Sequence, residues 1–312
     1  MRYSVMHETC YRYASPVALG HQLLHLTPRA LPWQTVLSHT LQVEPQPEEL
    51  QSSNDYFGNP VTHVVLCAPH RELRVLASSV VAVDRGATDA AATSIIAAAS
   101  GVSDGLVTGL LPGATPSWRE VAASVAAASN LALLRASEFL YDSPHVQVVP
   151  AVREYANASF AEGCSVLQVA LDLNRRIHHE FVFDPRATSV STPVETVLSE
   201  RRGVCQDFAH LMVACLRAGG LAARYVSGYI LTEPPPGQPR LVGADASHAW
   251  VSVYCPTQGW VDLDPTNNLT VGDAHVTLAW GRDFGDVTPM RGVILGGGEQ
   301  EIEVRVTVHP LD

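Results

Sequence analysis

The first part of the chain alternates apolar and polar residues with a period of two, which is the pattern of strands that bury one face. Turns rich in proline and glycine, such as the Gly-Asn-Pro run at residues 58–60, separate the alternating stretches. We predict an antiparallel β domain over residues 1–84, with a sandwich as its simplest arrangement. The predicted strands cover residues 3–13, 36–43, 61–66 and 73–83.

The pattern then changes to small residues and afterwards to a helical period. Residues 85–116 are rich in Ala, Ser, Thr and Gly, so we predict a linker or mobile connection there. Residues 117–312 are expected to form a second domain. At its end, residues 302–308 alternate again and predict a half-buried strand, whose partner sheet the sequence leaves open. The predicted helices cover residues 118–134, 146–155 and 165–180.

A further helix is predicted to begin at a cysteine, within the run Arg-Gly-Val-Cys-Gln-Asp-Phe-Ala-His at residues 202–210. A thiol in the first turn of a helix feels the positive end of the helix dipole and unpaired N–H groups, which favour the thiolate. Arg201 and Arg202 add positive charge nearby. Cys205 is therefore a candidate reactive thiol. The apolar face of this helix consists of Phe208, Leu211, Met212, Cys215 and Leu216.

Two short β runs on either side of a Pro/Gly turn predict a β hairpin after this helix. With the turn centred on Pro256, His248 lies directly opposite Asp264, and directly opposed Cβ atoms are only about 4.5–5.5 Å apart. A bulge at Gly259 would shift this register by one residue. Asp262 shares the strand face of Asp264 and is the alternative carboxylate.

A helix-start cysteine, a strand histidine and a carboxylate on the next strand are the parts of a Cys-His-Asp triad. The thiolate of Cys205 attacks an acyl carbon, His248 holds and then transfers a proton, and the carboxylate fixes the tautomer and orientation of the imidazole. The backbone N–H of Cys205 is a candidate oxyanion donor because it lies at a helix N-terminus. The sequence identifies no second donor, and Gln206 is a candidate by adjacency alone.

Several motifs resemble those of the bacterial transglutaminase-like superfamily. Three of them contain the predicted triad, and their spacing also fits that family. They are Gly-Val-Cys-Gln-Asp-Phe-Ala at 203–209, Ala-Ser-His-Ala-Trp at 246–250, and the stretch from Gly259-Trp260 to Asp264-Pro265-Thr266-Asn267-Asn268. Further segments resemble the strand after the cysteine helix (223–229), the family's region beyond the core (281–289) and the β-rich N-terminal domain of bacterial members (7–13, 26–29 and 55–59).

The resemblance implies an α+β fold. An N-terminal antiparallel β domain would precede a papain-like core, in which the nucleophile lies at a helix N-terminus packed on an antiparallel sheet. It assigns Cys205 as the nucleophile, His248 as the base and Asp264 as the orienting carboxylate of a thiol-dependent enzyme that transfers or hydrolyses an acyl group at an amide bond. The expected substrate is a peptide or protein amide, and no cofactor is implied.

The resemblance leaves the acyl acceptor open. Cysteine proteases and amidases of this superfamily use water, whereas a true protein-glutamine transglutaminase uses an amine. A non-catalytic binding module on the same fold is a further alternative, against which the intact triad speaks.

Composition narrows the expected surroundings of the protein. A formal net charge of −11 without a basic cluster argues against nucleic acid or an anionic membrane as a partner. No apolar run approaches the roughly 18–20 residues of a membrane span, and the N-terminus shows no signal peptide. Six cysteines without paired spacing then favour reduced thiols in a cytoplasm. The oligomeric state is left open.

Thirteen histidines raise the question of a metal site. The sequence contains neither an HExxH nor a CxxC motif, which are the common signatures of zinc sites. We therefore expect no metal, and we interpret His21, His25 and the pair His178-His179 as exposed or capping residues.

Overall fold

The computed structural model describes residues 1–85, 115–231 and 247–311, so most of the predicted linker at 85–116 lies outside the described residues. The strands are β1 Arg2–Leu24, β2 Gln34–Glu44, β3 Glu49–Asn54, β4 Pro60–Leu66, β5 His70–Val83, β6 Val182–Phe183, β7 Arg202–Gly203, β8 Ala223–Ile230, β9 Ser247–Cys255, β10 Gly259–Asp264, β11 Leu269–Thr270, β12 His275–Gly281, β13 Met290–Gly296 and β14 Gln300–Pro310. The helices are α1 Trp118–Ala127, α2 Leu131–Ser137, α3 Pro150–Asn157, α4 Val166–Glu180, α5 Val194–Glu200, α6 Cys205–Ala218 and α7 Phe284–Val287. Of these helices, none is both long and apolar enough to cross a membrane.

The N-terminal strands form one antiparallel sheet, which confirms the predicted β domain. Its strand order is β2-β5-β1-β4-β3, and β13 and β14 also pair with β1. The first half of the long strand β1 lies between β5 and β14, and its second half lies between β4 and β13. The predicted strands missed β3, because all of its residues are exposed and give no alternating pattern.

The partner of the C-terminal strand, which the sequence left open, is β1. Val308 pairs with Val5, and β13 pairs with the other half of β1. The division at residue 117 therefore needs a correction, because residues 290–310 complete the N-terminal sheet instead of belonging to the second unit. Val306 and Val308 are buried there, whereas Ile302 and Val304 are about half exposed.

The second unit is built on a five-stranded antiparallel sheet, β11-β10-β9-β8-β12, which we call the central sheet. Helix α6 packs against β9 and β8. Residues alternate across β9, so Val251 and Val253 join the core around α6, while Trp250 lies in a separate cluster with Val226 and Val271. The predicted α+β architecture is confirmed.

Helix capping explains where the helices begin and end. Ser165 caps α4 and forms a capping box with Gln168, which agrees with the predicted start of this helix at residue 165. The helix predicted over 118–134 is two helices, because Ala128 adopts a left-handed conformation (φ 45°) and Asn130 caps α2 with its side chain. The helix predicted from 146 begins only at Pro150, a residue favoured in the first turn.

The N-terminal sheet region is held to the central sheet by buried side-chain amides. Gln34 donates to the Thr277 carbonyl at 2.7 Å and accepts from its N–H at 2.8 Å. Asn59 makes the same pair of bonds with Trp280, at 2.8 and 2.9 Å. Both residues that supply these amides are almost fully buried. Two amides thus satisfy backbone groups of β12, which is the edge strand of the central sheet.

Candidate active site

The first turn of α6 is capped by a carboxylate that belongs to the same turn. Asp207 is buried and accepts the Val204 N–H at 2.8 Å and the Thr188 hydroxyl at 2.6 Å. Gly203 lies so close that a Cβ there would fall 2.8 Å from the Asp207 Cβ. This local packing requires glycine at 203 and holds Cys205 in the first helical position.

The structure brings the three predicted site residues together. Nε2 of His248 donates to Oδ2 of Asp264 at 2.7 Å, and both side chains are buried. The Cys205 thiol lies close enough to His248 to help raise the pKa of its imidazole. Cys205 itself is half-buried. The imidazole therefore lies between the thiol and the carboxylate.

The predicted hairpin register was wrong, although the predicted contact exists. Cys255 pairs with Gly259 and Ser252 with Asp262, so the turn is centred on Thr257 instead of Pro256. The reason is a three-residue loop closed by Gly259 in the left-handed region (φ 76°). Moving the centre of the turn by one residue shifts the residue opposite each position by two, so every side chain stays on the same face of the hairpin. His248 thus meets Asp264 as a diagonal neighbour.

Asp264 accepts hydrogen bonds on both oxygens. In addition to His248, its donors are the Thr266 N–H (2.9 Å), the Asn267 N–H (3.2 Å), the Asn267 side-chain amide (2.7 Å) and Nε2 of His275 (3.3 Å). Burial alone would raise the pKa of this carboxyl group, but the bonds from His248 and His275 hold it well below its usual range. Asp264 is therefore a fixed anion.

The charge of Asp264 acts on the imidazole. Burial favours neutral His248, but its hydrogen bond to Asp264 and its interaction with Cys205 outweigh burial and raise its pKa to about 10. The site therefore favours an imidazolium beside the thiol. Such a pairing is the form in which a cysteine–histidine couple is reactive, because the thiolate is the nucleophile.

His275 and the side chain of Asn267 were missed as parts of the site. Asn267 lies in the quoted Asp-Pro-Thr-Asn-Asn motif, where an amide three residues after an aspartate can fold back on its carboxylate. His275 belongs to β12, which is separated from β9 by β8, so local sequence gives no sign of their proximity. Its burial lowers its pKa, in spite of the bond to Asp264.

The alternatives considered from the sequence are placed elsewhere. Asp262 forms an ion pair with Arg85 at 3.0 Å, so Asp264 is the carboxylate on the imidazole. The side-chain amide of half-buried Gln206 donates to the Val190 carbonyl at 3.2 Å. The backbone N–H of Cys205, in the first helical position, has no intrahelical acceptor and is available to an oxyanion.

One cluster of the described residues has the composition of a metal site. Potential ligand atoms of His248, Asp264 and His275 lie within 4.8 Å of one another. The Asp264 oxygens already accept five hydrogen bonds, including those from His248 and His275, so these groups fit a hydrogen-bonded cluster. The interpretation of His25 as exposed was wrong: it is buried and bonds Asp55 and the Thr288 carbonyl.

Comparison with known proteins assigns the family. Residues 3–82 match the bacterial transglutaminase-like N-terminal region, and residues 153–265 match the transglutaminase-like superfamily core. The chain belongs to the transglutaminase-like superfamily, with the N-terminal region of its bacterial members. The second match includes all three residues of the Cys-His-Asp cluster.

Similarity to individual proteins reaches beyond the two matched regions. An uncharacterized protein of Mycobacterium tuberculosis H37Rv is 39% identical over 316 residues, covering 100% of this chain and 93% of the relative. A candidate cysteine protease from Cytophaga hutchinsonii shares the fold, with a TM-score of 0.73, 19% identity and coverage of 100% of this chain and 91% of that chain. A protein-glutamine gamma-glutamyltransferase of Pseudomonas aeruginosa is 38% identical over 98 residues, covering 30% of this chain and 15% of that protein.

Proposed function

We propose that this protein is a cysteine-dependent enzyme that cleaves or transfers an acyl group at an amide bond. The observation that carries the proposal is the cluster of Cys205, at the start of α6, with His248 and Asp264: His248 is hydrogen-bonded to Asp264 and lies beside the thiol. Cys205 is the nucleophile, His248 exchanges the proton, and Asp264 orients the imidazole and stabilises its charge.

The reaction has two halves. The Cys205 thiolate adds to the amide carbonyl carbon, and the oxyanion that forms accepts from the Cys205 backbone N–H. The C–N bond then breaks as the His248 imidazolium gives its proton to the leaving amine, which leaves a thioester on Cys205. Water or a second amine attacks this thioester while His248 takes its proton, and the thiolate is released.

The preferred acceptor is water, which makes the protein an amidase or protease acting on a peptide or protein. The alternative, an amine acceptor, draws support from the local similarity to the Pseudomonas gamma-glutamyltransferase. The chain contains twenty arginines and no lysine. It therefore offers no ε-amine on which it could cross-link itself, and amine incorporation into an added peptide can be measured without that background.

The test of the proposal is the pH dependence of thiol alkylation, because no substrate needs to be known. Iodoacetamide labelling followed by peptide mapping reports each cysteine separately. Cys205 should be labelled first and should keep reacting at mildly acidic pH, whereas the exposed thiol of Cys67 should react only as the pH rises. His248→Ala should remove the acidic arm of the Cys205 profile.

Cys164→Ala is the matched control, since Cys164 is also half-buried but lies outside the cluster. This variant should leave the labelling of Cys205 unchanged. A Cys205 profile that follows that of Cys67 and is indifferent to His248→Ala would contradict the proposal and favour the non-catalytic module.

The acceptor is tested with a blocked glutamine peptide, with and without a dansylated primary amine. Deamidation of the peptide in both samples identifies water as the acceptor, and incorporation of the dansyl group identifies the amine. Cys205→Ala should abolish either reaction.

A further inference from the structure

A large cavity lies between the N-terminal region and the central sheet, away from the cysteine. Its volume is about 870 Å³, within the range of small-molecule binding sites. Cys205, His248 and Asp264 do not line it. Aromatic rings dominate its wall, and they come from both parts of the protein: Trp33, Tyr56, Phe57, Phe139, Trp260 and Trp280.

The cavity also contains a buried cation. Arg224 of β8 is only 6% exposed, and its guanidinium carbon lies 3.8 Å from the ring centroid of Trp280 and 4.3 Å from that of Trp260. The guanidinium is thus held between two indole rings. Planar stacking of this kind positions an arginine without using its hydrogen-bond donors.

One buried donor of Arg224 is left without a partner. Its Nε is buried and has no hydrogen bond, and within the described residues no carboxylate forms an ion pair with this side chain. Burial lowers its pKa to about 9 in spite of the attraction of Asp262. Removing a charge from water without pairing it is costly. A buried guanidinium without an ion-pair partner therefore favours the binding of an anion.

Two further arginines line the same cavity. Arg29 stacks on Trp280 with its guanidinium carbon 3.5 Å from the centroid, and two guanidinium groups that close to one ring must occupy its opposite faces. Arg135 also lines the cavity. The one carboxylate in the described wall, Glu138, already accepts the Tyr56 hydroxyl at 3.1 Å. The described wall of the cavity therefore contains three arginines and one carboxylate that is already engaged, in a chain with a net charge of −11.

The cavity is separated from the candidate active site along the same strands. Arg224 pairs with Ser252 and Gly228 pairs with His248, so four residues of β8 and β9 separate the two sites. At a rise of about 3.3 Å per residue this is roughly 13 Å. A ligand in the cavity would not block the thiol.

We propose that this cavity is a binding site for a carboxylate carried next to a planar apolar group, with the carboxylate on Arg224 and the planar group among the indole and phenyl rings. A guanidinium presents paired donors that match the two oxygens of a carboxylate, and aromatic walls accept a flat ring. The same chemistry is offered by a free aromatic acid and by the C-terminal phenylalanine of a peptide.

Isothermal titration calorimetry with matched probes tests this. We use 2-naphthoate and its neutral isostere 2-naphthamide, together with N-acetyl-Ala-Phe as the free acid and as the amide. The acids should bind at least tenfold more tightly than the amides, since a charged hydrogen-bonded pair is lost in each amide. Tighter binding of 2-naphthoate than of the peptide acid identifies a small aromatic acid as the source, and the reverse identifies a peptide C-terminus.

Variants locate the binding. Arg224→Gln should weaken binding of the acids at least tenfold, and Arg135→Gln, at an exposed position, should weaken it two- to threefold. Arg119→Gln, an exposed arginine outside the cavity, should change nothing. If circular dichroism shows that Arg224→Gln is unfolded, the acid–amide comparison and Arg135→Gln decide. Equal binding of acid and amide, no acid binding at millimolar concentration, or a folded Arg224→Gln with wild-type affinity would overturn the proposal.

Discussion

Two clusters of buried charge lie on one face of the central sheet. They differ in whether the charge is matched, that is, whether the protein itself supplies its hydrogen-bond partners. Asp264 accepts five hydrogen bonds, from His248, His275, Asn267 and the backbone after it. Arg224 is also buried, but it is stacked between two indole rings and its Nε has no hydrogen-bond partner. One cluster is complete within the protein, whereas the other is not.

The difference separates two uses of a buried charge. A carboxylate that is fully hydrogen-bonded does not need to rearrange when the charge on its neighbour changes, which is the property of a preorganised catalytic site. A guanidinium fixed by stacking keeps its donors free, which is the property of a site that binds an anion from outside. Matched charge thus marks the candidate catalytic centre, and unmatched charge marks the candidate ligand site.

The largest expected effect is on turnover. Cys205→Ala and His248→Ala should each abolish turnover of an identified substrate, by a factor on the order of 10³ or more, because both groups act in the same transition state. Asp264→Ala should leave weak activity, since the carboxylate orients the ring but does not bond to the substrate. Steady-state kinetics measure this, with Cys164→Ala as the control that should behave like wild type. Full activity in the Cys205 variant would end the catalytic interpretation.

The hydrogen bonds around Asp264 should also contribute to the unfolding free energy. Asp264→Ala leaves two histidines and three N–H groups without their acceptor, and losing one partner of a buried charged network costs about 3–5 kcal/mol of unfolding free energy. Asp262→Ala, on the same strand, removes an ion pair with Arg85 alone and should cost less. Urea denaturation measures both changes. Equal losses would mean that the bonds around Asp264 add little stability.

The face on which the site residues lie could be predicted from the sequence, because strand alternation depends only on parity. The exact register could not, since it depends on which turn residue adopts the left-handed conformation, and Gly259 decides this. The start of α6 at Cys205 was predictable from the local glycine and the apolar spacing. The capping interaction of Asp207 with Val204 then fixes it.

Long-range partners were beyond local patterns. The contact of His275 with Asp264 depends on the order of strands in the central sheet, and the pairing of β14 with β1 depends on where a distant segment returns. The stacking of Arg224 joins β8 to Trp260 and Trp280, which belong to two other strands. Such contacts follow from topology, which the spacing of residues along one strand does not encode.

The pH dependence of stability sharpens the comparison further. The fold raises the pKa of His248 from about 6.5 to about 10, so its contribution to stability is fully present below pH 6.5 and is lost as the pH rises through 10. The unfolding free energy of wild type should therefore approach that of His248→Gln over this window, by on the order of a few kcal/mol. Urea denaturation at several pH values measures the difference, in which other titrating groups cancel. A constant difference from pH 6 to 10 would contradict the charged imidazole.

The smallest expected effect is the change in unfolding free energy on replacing Arg224. Arg224→Met removes two stacking contacts, each worth about 0.5–2 kcal/mol, but it also removes an unpaired buried cation and keeps an unbranched apolar side chain in the same space. These changes oppose each other, so the unfolding free energy should stay within about 1 kcal/mol of wild type, in contrast to Asp264→Ala. Urea denaturation measures the change, and Arg119→Met, at an exposed position, serves as the control. A loss as large as that of Asp264→Ala would show that the guanidinium serves the fold itself, because a charge kept for an outside ligand contributes little stability while the cavity is empty.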